Sequence, residues 1–291
     1  MPQRHRFPMA KYRLLRERIG QSEHLSHCQL LIPDAATDEQ LLTCHTADYL
    51  GKIKTGDLSD LEVRRIGFPW SKKLVERSRR STGASISAGL SALEDGLSVN
   101  LAGGTHHSFA DSGQGFCVFN DVCVAAHVLQ ERSLIQSALF FDCDVHQGNG
   151  TASIARNDPN LYACSLHGDK NYPFRKMESD LDVALPSGCD DDQYLAETEL
   201  ALSRVTAEFE PDIVFYLAGA DPFAGDRLGL LSLTKDGLRQ RDELVLNFFR
   251  ARNVPVAISM AGGYAPEISD IVDIHFATVE TAAKLSQKTK V

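Results

Sequence analysis

The sequence predicts an α/β fold, three layers α/β/α deep, built around a mostly parallel central sheet. Three observations lead there: short apolar runs of strand length, longer stretches of helical periodicity between them, and polar or glycine-rich segments where the runs stop. The runs are Ser98–Ala102, Ala138–Asp142, Leu161–Leu166, Ile213–Ala218 and Val254–Met260. They are too short for helices and largely apolar, as strands covered on both faces are. Ahead of them, a basic helix starting near Pro8 places Tyr12, Leu15 and Ile19 on its inner face. Leu74, Ile86, Leu90 and Leu93 mark a second helix, in which Gly83, Ala84 and Gly89 permit close packing. Tyr194, Leu195, Leu202, Val205 and Phe209 mark a third, and Thr234 caps a fourth that carries Leu238, Leu244, Val245 and Phe248. No linker, repeat or low-complexity block interrupts this alternation, so residues 1–291 are expected to form a single domain.

Composition narrows the function. With 43% hydrophobic and 24% charged residues the chain is an ordinary globular one. A net charge of −9 leaves no basic stripe to track a phosphate backbone, so no nucleic-acid partner is expected. An acidic surface suits a cationic peptide or amine, although that hint is weak. The 7 cysteines are odd in number, scattered, and form no C-x-x-C pair. That fits a reducing compartment better than a disulfide framework or a thiolate metal site. Arg4, Arg6, Lys11, Arg13, Arg16 and Arg18 give the beginning of the chain a transit-peptide charge without the serine content, and a basic surface helix is the better reading. With no apolar run of membrane-spanning length, a cytoplasmic location is expected.

Ligands of parallel sheets collect beyond the carboxyl ends of the strands. Four of the five runs end there in unusual segments: Gly103-Gly104-Thr105-His106-His107, Asp142-Cys143-Asp144-Val145-His146, Gly219-Ala220-Asp221 and Gly262-Gly263-Tyr264. In an extended segment Asp144 and His146 point the same way, with Asp142 one step deeper. A D-x-H pair is common by chance; its place at a strand end, followed by Gly148 and Gly150, gives it weight. Asp221 is the best candidate for a third ligand. Three protein ligands leave a fourth position open, the arrangement of a catalytic metal. The tandem histidines His106 and His107 titrate in the range needed to take a proton from water and return one to a departing amine. Tyr264 is either a packed aromatic or a hydroxyl donor to a developing oxyanion.

The strings LAGGTHHSFADSGQGFCVFND (101–121), DCDVHQGNG (142–150), LAGADPFAGDRLG (217–229) and MAGGY (260–264) resemble the histone deacetylase superfamily of the arginase/deacetylase fold. HRFPMAKY (5–12), RRIGFPWS (64–71) and NYPFRKMESDLDV (171–183) are similar to its class IV branch and the bacterial proteins grouped with it. The resemblance implies a metal-dependent hydrolase that removes acetyl or longer acyl groups from lysine side chains or related amines, including acetylated polyamines. It implies zinc as the metal, held by Asp144, His146 and Asp221, although an Asp₂His set suits Fe(II) as well. By the same likeness, His107 is the general base and acid, His106 an electrostatic aid and Asp142 the carboxylate behind His106. Tyr264 polarises the substrate carbonyl, while Gly115, Phe116 and Gly262 line the substrate site. A monovalent cation, usually potassium, is implied at Asp142, Ser165 and the carbonyls of Asp144, His146 and Leu166. Many relatives carry aspartate behind the second histidine, where this chain has Asn149, as the class IV branch does. An amide oxygen still fixes the imidazole tautomer but brings no charge to stabilise an imidazolium.

Two rivals are weaker. An arginase-like ureohydrolase needs carboxylates for a second metal, and this chain has Gly148 and Phe223 at the corresponding places. A catalytically silent metal-binding member of the fold would have lost ligands, base or tyrosine, and all are present.

Overall fold

The structure, a computed structural model, describes residues 6–287; Arg4 and His5 lie outside them. The elements follow in the order α1 (Ala10–Gln21), α2 (Asp38–Leu42), α3 (Ala47–Thr55), α4 (Asp60–Ile66), α5 (Lys72–Asp95), β1 (Leu97–Asn100), α6 (Asp121–Glu131), β2 (Ala138–Asp142), α7 (Asn149–Ala155) and β3 (Leu161–Gly168). Then come β4 (Leu181–Leu185), α8 (Asp191–Glu208), β5 (Ile213–Leu217), α9 (Lys235–Arg250), β6 (Val256–Ser259) and α10 (Ile268–Gln287). The strands form a single sheet in the order β1-β6-β5-β2-β3-β4, and every pairing is parallel.

Alternation along the strands divides the core into two layers. Leu139, Phe141, Val214, Tyr216, Val256 and Ile258 pack beneath α1, α8, α9 and α10. Ala138, Phe140, Ile213, Phe215, Leu217 and Ala257 pack against α2, α3, α5 and α6 on the other face. The three-layer α/β/α architecture is thus present. Each of the five apolar runs overlaps a strand; Ala138–Asp142 coincides with β2 and the others differ by one or two residues at one or both ends, and Thr234 caps α9 by accepting the Gly237 N–H. The β4 strand has no counterpart among the five runs. It is an edge strand with only Leu181 and Leu185 buried, so it lacks the continuous apolar run that marks the others. Leu15 and Ile19 are buried on α1, but so is Lys11, against the expectation of a purely basic surface there.

The topology sets the position of the site. From β2 the chain moves outward to β3 and β4; from β5 it moves the opposite way to β6. Neighbouring strands whose connections leave in opposite directions open a crevice at their carboxyl ends. Here those strands are β2 and β5, paired with Asp142 opposite Leu217. All 7 cysteines are free thiols. Among the described residues no helix is long and apolar enough to cross a membrane.

Candidate metal centre and active site

Asp142 is the last residue of β2; Cys143 to Gln147 turn out of the strand rather than extending it. Asp144 and His146 therefore do not converge by strand alternation, as their spacing suggested. They converge because the turn folds back on itself: the His146 N–H donates to Asp144 Oδ1 at 2.9 Å, and His146 Nδ1 lies 3.0 Å from the same oxygen. Asp221, beyond β5, brings Oδ2 to 3.1 Å from His146 Nδ1. Its Oδ1 accepts the Val145 N–H at 2.9 Å. The ligand-bearing atoms of Asp144, His146 and Asp221 all lie within 4.8 Å of one another, and all three residues are buried. Among the described residues no other group of three His, Cys, Asp or Glu meets that condition.

This donor set fits a divalent metal. Bonds of about 2.0–2.1 Å in a tetrahedral zinc site put donor atoms about 3.3 Å apart, close to the 3.0 and 3.1 Å separations here. The electrostatics agree. Burial and the neighbouring Asp144 push the Asp221 carboxyl up to about 7. Burial opposes a charge on His146, yet its contacts with Asp144 and Asp221 raise it to about 10. Two carboxylates held this closely in a dry site call for a cation between them.

The two histidines sit beside the cluster with ring centroids 4.2 Å apart. His106 Nδ1 lies 2.6 Å from Asp142 Oδ2 and its Nε2 is 3.9 Å from Asp144 Oδ1. Burial opposes the imidazolium, but Asp142 and Asp144 together hold it up to about 9. His107 Nδ1 meets Asn149 Oδ1 at 2.8 Å. Burial, then the positive charge of His106 and His146, holds His107 well below the usual histidine range. The surroundings thus favour the charged form of His106 and the neutral form of His107. With Nδ1–H given to Asn149, the lone pair of His107 is on Nε2.

The loop carrying both histidines is clamped by Asp121, the first residue of α6. Its fully buried carboxylate accepts the Gly104 N–H at 3.1 Å, the Thr105 N–H at 2.7 Å, and the hydroxyls of Thr105 and Ser85. Gly115 and Phe116 follow in left-handed conformations, φ 57° and 67°. Glycine is required at 115, where a Cβ would sit 2.5 Å from the His107 ring. Phe116 packs edge-on against Phe7, 5.4 Å between centroids, and lies 6.1 Å from Tyr264. Gly262 donates its N–H to Asp144 Oδ2 at 2.7 Å, and a Cβ there would collide with the Asp221 carboxylate. Tyr264 is fixed by its backbone, whose N–H donates to Asp226 Oδ2 at 2.6 Å. One cavity is lined by His106, His107, Gly115, Phe116, Asp144, His146, Gly262 and Tyr264. Ser165 and Leu166 lie on the neighbouring strand, where Ser165 pairs in register with Asp142.

Every site residue singled out in the sequence is therefore gathered around one end of β2 and β5. Sequence reasoning missed four supporting residues: Asp121, Asp226, Lys11 and Arg241. Lys11 is 2% exposed and donates to the carbonyls of Ala261 (3.1 Å) and Gly263 (3.5 Å), directly before Tyr264. Burial pulls its ammonium down to about 8. Asp226 stood in the GADPFAGD string and was legible there; a lysine or arginine destined for the interior carries no local mark.

A parallel α/β sheet with a buried Asp–His–Asp cluster at its switch point defines an arginase/deacetylase-like protein. Residues 5–279 match the Histone deacetylase domain, and the chain belongs to that family as a deacetylase-type hydrolase. It is similar to an uncharacterized protein of Picosynechococcus sp., 42% identical over 94% of this chain and 92% of that one. It is also similar to histone deacetylase 2 of Arabidopsis thaliana, 31% identical over 92% of this chain and 72% of that protein. The solved structure of a histone deacetylase homolog from Aquifex aeolicus superposes with a TM-score of 0.83 over 97% of this chain and 80% of that one, at 22% identity, and so shares the fold.

Proposed function

We propose that the protein is a zinc-dependent amidohydrolase that removes acyl groups, acetyl or longer, from lysine side chains or related amines. The observation that carries this reading is one cavity lined by Asp144, His146, His106, His107 and Tyr264, with Asp221 buried behind it 3.1 Å from His146 Nδ1. A divalent ion in that cluster would supply Lewis-acid polarisation of an acyl carbonyl and of water. Zinc rests on the family likeness, and an Asp₂His set suits Fe(II) as well.

The chain's own residues supply the rest. Neutral His107 takes the proton from water through Nε2 as water attacks the acyl carbon. His106, kept cationic by Asp142, stabilises the negative charge that develops beside it. The Tyr264 hydroxyl, which makes no hydrogen bond among the described residues, donates to the carbonyl oxygen as it becomes an oxyanion. His107 or His106 then returns a proton to the amine nitrogen, and carboxylate and free amine leave. Gly115 and Phe116 form the wall along which the amine stem lies. The Asp142–Ser165 pair, with the carbonyls of Asp144, His146 and Leu166, is assigned to a structural potassium ion. Affiliation with the class IV branch rests on Asn149 and on the quoted strings, and cytoplasmic placement on the free thiols.

The test is a panel of substrates offered to the zinc-loaded protein: lysine peptides carrying acetyl, octanoyl and myristoyl groups, beside acetylated polyamines. Amine release from one or more lysine peptides is expected. Release from polyamines alone would move the protein to small-amine deacetylation, and release from none would end the acyl-amine reading.

A further inference from the structure

We infer that Arg241 is a positioning residue for the metal centre, clamping together the two backbone turns that carry all three ligands. This inference rests on the metal-centre reading above. Arg241 belongs to α9, on the layer opposite the histidine loop, and is 0% exposed. An arginine is almost never fully buried unless something specific holds it. Here Nη1 donates to the Gly219 carbonyl at 2.7 Å and reaches the Cys143 carbonyl at 3.4 Å. Gly219 lies two residues before Asp221, while Cys143 stands between Asp142 and Asp144.

The reason these carbonyls need an arginine lies in the sheet. Pairing between β2 and β5 ends at Asp142 and Leu217, with a last ladder bond from Cys143 N–H to Leu217 O at 3.0 Å. Beyond it the two chains leave the ladder to aim Asp144, His146 and Asp221 inward. Their next carbonyls are then buried without strand partners, which a folded protein does not leave unsatisfied. The two hydrogens of Nη1 face the two turns from one nitrogen, and the Nε and Nη2 side of the same rigid plane is held by Asp242. The Tyr194 hydroxyl reaches the Cys143 carbonyl too, at 3.5 Å. The approach is close at this point: a Cβ on Gly219 would lie 2.7 Å from the Asp144 Cα.

The charge is balanced locally. Asp242 accepts from Arg241 Nε at 2.9 Å, and its other hydrogen bonds come from the hydroxyls of Tyr216 and Thr278, each at 2.5 Å. The buried pair is therefore neutral as a unit, and Arg241 acts on the metal turns through hydrogen bonds rather than through net charge. Its expected effect is on how tightly a metal is held. Groups behind metal ligands typically change affinity by about 10–100-fold when removed.

The experiment measures the zinc dissociation constant by competition with a chromogenic chelator, well below the melting temperature. It compares the parent protein with Arg241→Lys and with the double variant Arg241→Gln/Asp242→Asn. The double variant leaves no unpaired buried charge, and its introduced amide oxygen keeps an acceptor for the Tyr216 hydroxyl. Metal-free melting temperatures are recorded beside each affinity. The double variant is expected to bind zinc about 10–100-fold more weakly, and the lysine variant, able to reach one carbonyl, less weakly than that. A role in folding alone would lower the metal-free melting temperature and leave the affinity of the folded protein within about twofold of the parent; that result overturns the inference. Should the double variant fail to fold, the lysine variant decides the matter by the same criterion. A parent protein that binds neither zinc nor Fe(II) overturns the metal-centre reading first, and this inference with it.

Discussion

Tyr264 stands at the cavity with its backbone held by Asp226 and its hydroxyl free to donate. Removal of one well-placed oxyanion donor lowers kcat by roughly 10²–10³. Tyr264→Phe is therefore expected to lose kcat on that scale with little change in KM, and steady-state kinetics on an acyl-lysine peptide checks it. A near-normal kcat would remove the tyrosine from the chemistry. Asn149 governs the other proton-handling group. In the proposed mechanism His107 acts as a neutral base, so activity is expected to fall on the acid side as it becomes protonated. An aspartate in place of Asn149 would favour the imidazolium and raise the His107 pKa, moving the acidic limb of the kcat/KM profile upward by about 1 unit or more. An unmoved limb would show that the Asn149 contact does not set this ionisation. Both residues were legible in the sequence, because each belongs to a short string whose chemistry is local. Lys11 and Arg241 were not, because their burial is decided by partners some 250 and 100 residues away.

At the scale of elements, legibility followed local pattern. The strands that are apolar on both faces announced themselves, and so did α9 through Thr234. The Thr234 cap is expected to contribute about 1 kcal/mol. Thr234→Ala should lower the melting temperature by roughly 2–4 °C and leave kcat unchanged, as a thermal melt and an activity assay on the same preparation would register. The edge strand β4 was missed because half of its residues face outward. The reading of Asp144 and His146 as alternate residues of a strand was right in outcome and wrong in cause. The strand stops at Asp142, and side-chain-to-backbone hydrogen bonds within the turn bring the two together. The turn is completed by Asp221, which accepts the Val145 N–H from another strand end, and that partner no single segment reveals.

The whole molecule places a dense carboxylate cluster inside a hydrophobic sheet, and that should be visible in its stability. A ligand that binds the folded state at 100 times its dissociation constant adds about 2.7 kcal/mol, or roughly 5–10 °C in melting temperature for a domain of this size. Zinc added to chelator-stripped protein is expected to give a rise of that order, read by calorimetry, and a second addition of chelator should reverse it. No rise at saturating zinc would count against a resident ion. At this scale the sequence disclosed the fold class and the end of the sheet where function lies. It did not disclose which helices seal that end from behind.

The Lys11 contacts with Ala261 and Gly263 tie the first helix to the turn after the last strand, and this has a consequence for the order of synthesis. A nascent chain that has emerged through Asp221 holds all three candidate metal ligands but neither Tyr264 nor the carbonyls that receive Lys11. Some 40 further residues separate the two stages, about 2–9 s of elongation at typical rates. During that interval the chain also lacks Arg241, β6 and Gly262, whose contacts hold the turns of Asp144 and Asp221, so the ligand turns and the tyrosine turn are completed together, late in synthesis.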